Sequence, residues 1–181
     1  IFDCLVGSEM CIRDSSTTRY CIENMYECSK SKKFQNILDY GSGSGILGIA
    51  AKKLMPYSKI TLIDVDNLAV KMSKFNLKKN NIISNNNVFE VSPKKRKYIK
   101  KNFYNLIFVN ILLPQLKSLI KEFTYILHHN GFLIVSGILI YQKNQLINLY
   151  RKFKIYPVKI SEEEKWITIT FKKKNEKAHW I

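Results

Sequence analysis

The sequence is poor in acidic residues, glycine, proline and cysteine, and it contains no long hydrophobic run. Its 14 Asp and Glu residues face 30 Lys and Arg residues, so the 181 residues carry a formal net charge of +16. No apolar segment approaches the roughly 20 residues that span a bilayer, which argues against a membrane protein and favours a cytoplasmic one. The positive charge favours a polyanionic partner such as nucleic acid. A second explanation stays open, because the abundant Lys, Asn and Ile residues all have AT-rich codons.

The opening residues show no apolar periodicity and no helix-cap or turn signal. Residues Leu5 to Asp14 match, without a mismatch, the reading frame CTC GTG GGC TCG GAG ATG TGT ATA AGA GAC of a transposase adapter used in sequencing libraries. We therefore exclude residues 1–15 from fold prediction and expect them to be unstructured, with Leu5 and Ile12 outside the core. The native reading frame is expected to continue upstream. The excluded segment holds three acids and one base, so the remaining residues carry +18.

The four cysteines do not form a metal or disulfide framework once the adapter-like segment is set aside. Cys21 and Cys28 remain, with no CxxC spacing and no histidine beside them. We expect both to be reduced thiols in a core. The three histidines have no ligand-like neighbours either, so we predict no metal site.

Helical and strand patterns alternate along the chain. Strands are predicted at 36–39, 60–64, 88–91, 106–109, 132–136, 154–160 and 165–171, of which the third is weak. The continuously apolar runs at 106–109 and 132–136 indicate strands buried on both faces. Helices are predicted at 17–29, 46–54, 67–79, 114–127 and 142–151, the third with Leu68, Met72 and Phe75 on one face. Alternation of this kind predicts a parallel sheet covered on both faces. The last two strands are joined by only a few residues and must be antiparallel neighbours. The predicted fold is a doubly wound, mostly parallel, seven-stranded α/β sheet with an antiparallel C-terminal strand.

A glycine cluster joins the first strand to the following helix, in the order Asp39-x-Gly41-x-Gly43-x-Gly45. Glycine permits positive φ and a close approach of the backbone to a ligand. Asp64 ends the second strand at the same edge of the sheet, where an acid can accept hydrogen bonds from both ribose hydroxyls of a nucleoside. The alternative is a tight packing turn with a helix-capping acid.

The glycine loop and the strand-end acid are compatible with two nucleoside cofactors, a nicotinamide dinucleotide and S-adenosylmethionine. Gly43 to Gly48 match GxGxxG, the fingerprint of dinucleotide-binding proteins, which favours a nicotinamide-dependent oxidoreductase. In that fold, however, the first glycine directly follows the strand, whereas Asp39 to Ser42 intervene here. An acid beside the loop repels a pyrophosphate and suits the cationic amino-acid end of S-adenosylmethionine. The methyl donor is therefore favoured.

Six motifs in the same order resemble those of the ribosomal protein L11 methyltransferase family, which belongs to the class I S-adenosylmethionine-dependent enzymes. They are STTRYC at 16–21, DYGSGSGILGIAA at 39–51, LIDVDNLAV at 62–70, VNIL at 109–112, SGIL at 136–139 and EKW at 164–166. The family patterns that they resemble are P-T-T-R-x-C, D-x-G-C-G-S-G-I-L-x-I-A-A, D-I-D-P-x-A-V, A-N-I-L, S-G-I-L and E-E-W. Together they cover essentially all of residues 16–172.

The resemblance implies a cofactor site. Thr18, Gly41, Asp64 and Asn110 match the positions that contact S-adenosylmethionine in the family, and Asp39 and Gly43 belong to the same loop. It also implies a domain at 16–175, followed by a tail at 176–181. The family's F-G-T-G-x-H loop and its substrate-recruiting N-terminal domain are expected before Ser16. We therefore expect the chain to be a fragment, and its activity in isolation stays open.

The implied reaction is transfer of methyl groups to amino groups, on lysine side chains or the N-terminus, of ribosomal protein L11. Asn110 is the candidate catalytic residue, because an amide oxygen at the end of the fourth strand can accept an amine N–H and orient its lone pair. The alternative is that Asn110 caps the next helix. Trp166 is either a core residue or part of the acceptor pocket. The basic segment 94–101 is either a solvated loop or an incidental contact with rRNA phosphates.

Two other functions stay open at this point. One is a lysine methyltransferase that acts on a different protein, and the other is a folded but non-enzymatic domain.

Overall fold

The chain forms alternating strands and helices around one sheet. This computed structural model describes residues 16–82, 88–91 and 99–174. The strands are β1 (Asn36–Tyr40), β2 (Lys59–Asp64), β3 (Val88–Glu90), β4 (Tyr104–Asn110), β5 (Leu127–Leu139), β6 (Ile155–Glu163) and β7 (Trp166–Lys173). The helices are α1 (Ser16–Ser31), α2 (Ile46–Leu54), α3 (Asn67–Lys79), α4 (Leu113–Ile126) and α5 (Lys143–Arg151), with a 3₁₀ turn at Ile140–Gln142. Every predicted element is present.

The sheet has the strand order β3-β2-β1-β4-β5-β7-β6. Strands β1 to β5 pair in parallel, and β7 runs antiparallel to both of its neighbours. The predicted fold class and the predicted antiparallel pairing of the last two strands are confirmed. As a consequence, β1, β2, β4 and β5 all end at one edge of the sheet. We call this edge the carboxyl edge and the opposite one the amino edge.

The core has two layers because successive residues of a strand face opposite sides of the sheet. In β4, Leu106 and Phe108 pack in the layer covered by α1, α2 and α3, whereas Ile107 and Val109 pack in the layer covered by α4 and α5. All four side chains are fully buried. This explains why β4 is continuously apolar in sequence.

One predicted boundary differs from the structure, and one apolar stripe lies in solvent. Leu68, Met72 and Phe75 share one face of α3 as predicted, and they are 71%, 48% and 53% exposed, so this stripe is not the buried face of the helix. Strand β5 was expected to begin at Phe132, and it begins at Leu127. The polar stretch before Phe132 looks like a turn in sequence, and the pairing of β4 with β5 is irregular at this point.

Several expectations fall outside the described residues. These are the adapter-like segment 1–15, the tail 176–181 and most of the basic segment 94–101. Among the helices that the structure describes, none is both long and apolar enough to cross a membrane.

Gly131 generates a prediction about the irregular start of β5. A Cβ at this position would lie 2.7 Å from the carbonyl oxygen of His128 and 3.2 Å from that of Asn105. Backbone atoms cannot rotate away as a side chain does, so Gly131→Ala should lower the free energy of unfolding by about 1–3 kcal/mol. Urea denaturation measures the change.

The neighbouring Asn130 supplies the control. Asn130 is exposed and has a φ of 59°, which glycine adopts readily. Asn130→Gly should therefore change the free energy of unfolding by much less than Gly131→Ala. Equal losses in the two variants would mean that the close approach at Gly131 is not a constraint on the fold.

Candidate functional site

The glycine loop between β1 and α2 is held at the carboxyl edge of the sheet. Gly41, Gly43 and Gly45 have φ angles of 73°, 53° and 80°, in the left-handed region that favours glycine. The N–H of Gly41 donates a hydrogen bond of 2.8 Å to the carbonyl of Ile63 in β2. A Cβ at Gly43 would meet no atom within 4 Å. The loop is therefore anchored on its inner side and open on its outer side, where a ligand can approach.

Asp64 connects the end of β2 to this loop. Its Oδ2 accepts a hydrogen bond of 2.8 Å from the N–H of Gly43, and its Oδ1 accepts one of 3.0 Å from the N–H of Asp66. Because a carboxylate has about four acceptor positions, these two bonds leave capacity for further donors. The side chain is half-buried, so such donors can reach it from the open side.

Asp39 lies inside the molecule instead of lining the open side of the loop. Its carboxyl is 2% exposed, and Oδ2 accepts a hydrogen bond of 2.9 Å from the N–H of Gly48 in α2. Burial raises the pKa of Asp39 to about 7 from an ordinary value of 3.8; the Gly48 hydrogen bond lowers this pKa and the charge of Asp64 raises it. Asp39 therefore connects β1 to α2 through a buried hydrogen bond.

Two buried polar residues of α3 hold the loop from the other side. Ser73 Oγ donates a hydrogen bond of 2.9 Å to the carbonyl of Gly43, and Asn76 Nδ2 donates one of 2.9 Å to the carbonyl of Ser44. The sequence motifs did not point to either residue, since they single out only the apolar residues of α3. The signal was present as polar residues three apart on the same helix.

Asn110 ends β4 beside a cavity of about 300 Å³ that is lined by Thr17, Asn110, Ile111, Leu112, Gly137 and Trp166. Its Nδ2 lies 3.4 Å from Thr17 Oγ1 at the start of α1. A Cβ at Gly137 would lie 2.9 Å from Asn110 Oδ1. The glycine in β5 thus leaves space next to the amide oxygen. We call this cavity the Asn110 cleft.

The structure decides two alternatives near Asn110. The N-cap of α4 is Leu112, and no side chain donates or accepts a capping hydrogen bond there, so Asn110 is not the helix cap. Trp166 is half-buried at the start of β7 and lines the Asn110 cleft. It is therefore not a fully enclosed core residue.

Four of the predicted site residues, Gly41, Gly43, Asp64 and Asn110, lie at the carboxyl edge of the sheet, whereas Asp39 and Thr18 are enclosed. Gly41 connects the two halves, since a Cβ at Gly41 would lie 3.0 Å from Ile111 Cγ2. Thr18 is 2% exposed and does not line the Asn110 cleft, where its neighbour Thr17 stands. Among the described residues, no group of three or more His, Cys, Asp or Glu side chains could hold a metal ion. Cys21 and Cys28 are buried, free thiols.

A seven-stranded sheet with one reversed strand, a glycine loop after the first strand and an acid after the second defines the Rossmann-like methyltransferase fold. A structure of a ribosomal protein L11 methylase from Lactobacillus delbrueckii subsp. bulgaricus superposes with a TM-score of 0.74 at 24% identity, over 87% of this chain and 79% of that one. A methyltransferase from Aquifex aeolicus, described as SAM-dependent, superposes with a TM-score of 0.67 at 15% identity, over 86% and 92%. The chain itself belongs to the ribosomal protein L11 methyltransferase family. The family model described as "Ribosomal protein L11 methyltransferase (PrmA)" matches residues 14–174.

Curated relatives agree with this membership. The ribosomal protein L11 methyltransferase of Prochlorococcus marinus is 36% identical over 160 residues, which are 87% of this chain and 52% of the relative. That of Agrobacterium fabrum is 31% identical over 159 residues, 87% of this chain and 54% of the relative. The chain spans about half the length of the curated relatives that it matches.

The raised pKa of Asp39 predicts how stability depends on pH. The folded state keeps the Asp39 proton up to about pH 7, whereas the unfolded chain loses it near pH 3.8. Between these values the folded state binds more protons, so the Asp39 contribution makes the free energy of unfolding fall as pH rises from about 4 to about 7. Asp39→Asn removes the ionisable group and should flatten this part of the profile, measured by urea denaturation across that range.

Asp66→Asn is the matched control for Asp39→Asn. Asp66 is exposed and caps α3 by accepting a hydrogen bond from the N–H of Leu68, a role that asparagine fills as well. The control should keep the native dependence on pH. A profile that is equally steep in native protein and Asp39→Asn would show that Asp39 is already ionised in the folded state.

Proposed function

We propose that residues 16–175 form a domain that binds S-adenosylmethionine at the glycine loop and transfers methyl groups to amino groups of ribosomal protein L11. The acceptors are lysine side chains, the N-terminus, or both. The proposed donor site comprises Thr18, Asp39, Gly41, Gly43, Asp64 and Asn110, with Asn110 as the catalytic residue. The reaction is assigned to the cytoplasm.

The observation that carries the proposal is that the glycine loop and the Asn110 cleft are in direct contact. Tyr40 pairs with Val109 across β1 and β4, so the residues that follow, Gly41 and Asn110, emerge side by side. Gly41 has no side chain, and Ile111 fills the space that one would occupy. A donor in the loop and an acceptor in the cleft therefore come close enough for in-line transfer, whose main demand is positioning.

The chain's residues fit S-adenosylmethionine. The open side of Gly43 allows close approach, Asp64 retains acceptor capacity for ribose hydroxyls, and Asp39 supports the loop from inside through its hydrogen bond with Gly48. When bound, S-adenosylmethionine supplies the methyl group and a positive sulfonium charge.

The Asn110 cleft suits an amine acceptor. A lysine amine must be neutral to react, and its ordinary pKa is about 10.4. The apolar side chains of Ile111 and Leu112 line the cleft, and partial removal of water lowers the pKa of an ammonium group. Asn110 Oδ1 can then accept one amine N–H in the space that Gly137 leaves, while the indole of Trp166 bounds the cleft.

The relatives are ribosomal protein L11 methyltransferases, which supports L11 as the substrate. Because this chain matches only 52–54% of the length of these relatives, the proposed substrate rests on family membership, while the proposed donor and acceptor sites rest on geometry. A lysine methyltransferase for another protein would use the same two sites. A nicotinamide cofactor is disfavoured, since the N–H of Gly43 is already bound to the Asp64 carboxylate, which would repel a pyrophosphate.

Asp64→Asn tests the donor site. Asparagine keeps one acceptor oxygen but loses the negative charge, so charge-assisted hydrogen bonds to ribose hydroxyls are weakened. We expect a loss of about 1.5–3 kcal/mol in binding, or about 10–150-fold in affinity for S-adenosylmethionine, measured by calorimetric titration. Asp66→Asn should bind as the native chain does. Unchanged affinity in a folded Asp64→Asn variant would limit Asp64 to holding the loop.

Asn110 variants test the acceptor site. Asn110→Ala should reduce single-turnover methylation of L11 more than it weakens donor binding, because the amide orients the acceptor. Asn110→Asp should also be slow near pH 7, since a carboxylate stabilises the unreactive ammonium form, and should recover towards about pH 10 as the lysine pKa is approached. L11 with acetylated amines serves as the control substrate.

The outcomes separate the two parts of the proposal. Native turnover in both Asn110 variants across this pH range would remove Asn110 from the reaction. If the chain binds the donor and methylates other lysine-rich proteins but not L11, the proposed reaction stands and L11 is the wrong substrate. Methylation of the acetylated L11 would exclude amino groups as the acceptors.

A further inference from the structure

A second cavity lies at the amino edge of the sheet, opposite the glycine loop. Its volume is about 430 Å³, and its lining includes the five lysines Lys101, Lys121, Lys154, Lys173 and Lys174. The described residues that line it include no acid. We call this cavity the lysine cleft.

The fold brings these lysines together from four segments. Lys101 precedes β4, Lys121 is on α4, Lys154 precedes β6, and Lys173 and Lys174 stand at the end of β7. Because β7 is antiparallel, it ends at the same edge at which β4 and β6 begin. The cluster is thus a product of topology and is not one charged run along the chain.

Lys173 is a buried residue of the lysine cleft, and hydrogen bonds hold its ammonium group in place. It is only 8% exposed, and its Nζ donates hydrogen bonds of 3.0 Å to Asn102 Oδ1, 2.7 Å to the carbonyl of Thr124 and 2.8 Å to that of Leu127. These uncharged oxygens use the three donors of the ammonium group and fix it in place. Lys173 therefore contributes positive charge to the cleft without needing to move.

Aromatic rings stand among the lysines. Tyr125, which is 50% exposed, and Phe153 line the cleft beside Lys121 and Lys154. At its border, Lys174 Nζ lies 4.9 Å from the centre of the Tyr156 ring. Rings that can stack with bases, interleaved with flexible cations that follow phosphates, are typical of surfaces that bind single-stranded nucleic acid.

We propose that the lysine cleft binds phosphodiester groups of single-stranded RNA. Five lysines line one cavity that has no acid among its described lining residues, and such a cluster of positive side chains suits a chain of phosphates. The exposed Tyr125 ring favours RNA over an acidic peptide or a lipid surface, neither of which offers bases to stack. The cleft is at the opposite edge from the Asn110 cleft, so RNA bound there leaves the methyl-transfer site accessible. The proposal is independent of the proposed function.

The test compares two double variants of the full chain with equal charge. Lys101→Glu/Lys121→Glu places two acids in the cleft, whereas Lys71→Glu/Lys74→Glu places them on the exposed surface of α3, on the other side of the sheet. All four lysines are exposed, and both proteins should show the thermal unfolding midpoint of the native chain. The probe is a fluorescein-labelled single-stranded RNA of about 16 nucleotides, the upper end of the site sizes of single-strand-binding OB folds.

Fluorescence anisotropy should show RNA binding by the native chain that weakens about tenfold or more in the cleft variant and much less in the α3 variant. The slope of log affinity against log salt should shrink by about 1.4 in the cleft variant, about 0.7 for each lost phosphate contact. Tyr125→Ala should weaken binding without changing that slope, because a ring contributes stacking and no charge. Together these results would support the proposal.

Other outcomes would overturn the proposal. Equal weakening in the two double variants would mean that overall charge, and not the lysine cleft, attracts RNA. Polyglutamate that competes as well as RNA at equal charge, together with unchanged binding by Tyr125→Ala, would make the cleft a site for acidic peptides. The absence of RNA binding by the native chain at low salt would exclude an RNA site.

Discussion

The site depends on a glycine loop that must satisfy its own backbone polar groups while leaving one side open. Buried backbone groups require hydrogen-bond partners, and here those partners come from two neighbouring elements. Asp64 at the end of β2 accepts from the N–H of Gly43, while Ser73 and Asn76 of α3 donate to the carbonyls of Gly43 and Ser44. Because α3 turns this polar face inward, its apolar stripe is left in solvent. One set of hydrogen bonds therefore sets both the shape of the loop and the orientation of a helix.

The same topology separates charge between the two edges of the sheet. Asp64, Asp66 and Glu90 lie at the carboxyl edge, where α2 and α3 begin and their partial positive charge favours acids. Those helices end near the amino edge with lysine pairs in their last turns, which the negative helix end favours. A site for a cationic methyl donor and a site for phosphates can thus occur in one small domain, since the sheet keeps them apart.

The residues of the Asn110 cleft, the proposed acceptor site, come from distant parts of the chain. The amide of Asn110 stands at the end of β4, Thr17 begins α1, Gly137 lies in β5 and Trp166 begins β7. Each residue belongs to a different strand or helix, and their meeting requires β4, β5 and β7 to be in the register observed. The absence of a side chain at Gly137 is also important, because a Cβ there would crowd the amide oxygen of Asn110.

By itself, the sequence determined the order and approximate ends of the strands and helices, the parallel sheet with one reversed strand, the glycine loop and the strand-end position of Asp64. These features depend on periodicity and on motifs of a few consecutive residues, which backbone geometry imposes locally. Only the tertiary structure decided which face of α3 is buried, that Asp39 is enclosed, and that Gly137 borders Asn110. It also decided that lysines from four segments share one cleft. These contacts join residues far apart in the chain and depend on strand order, register and burial. A local sequence pattern does not predict them.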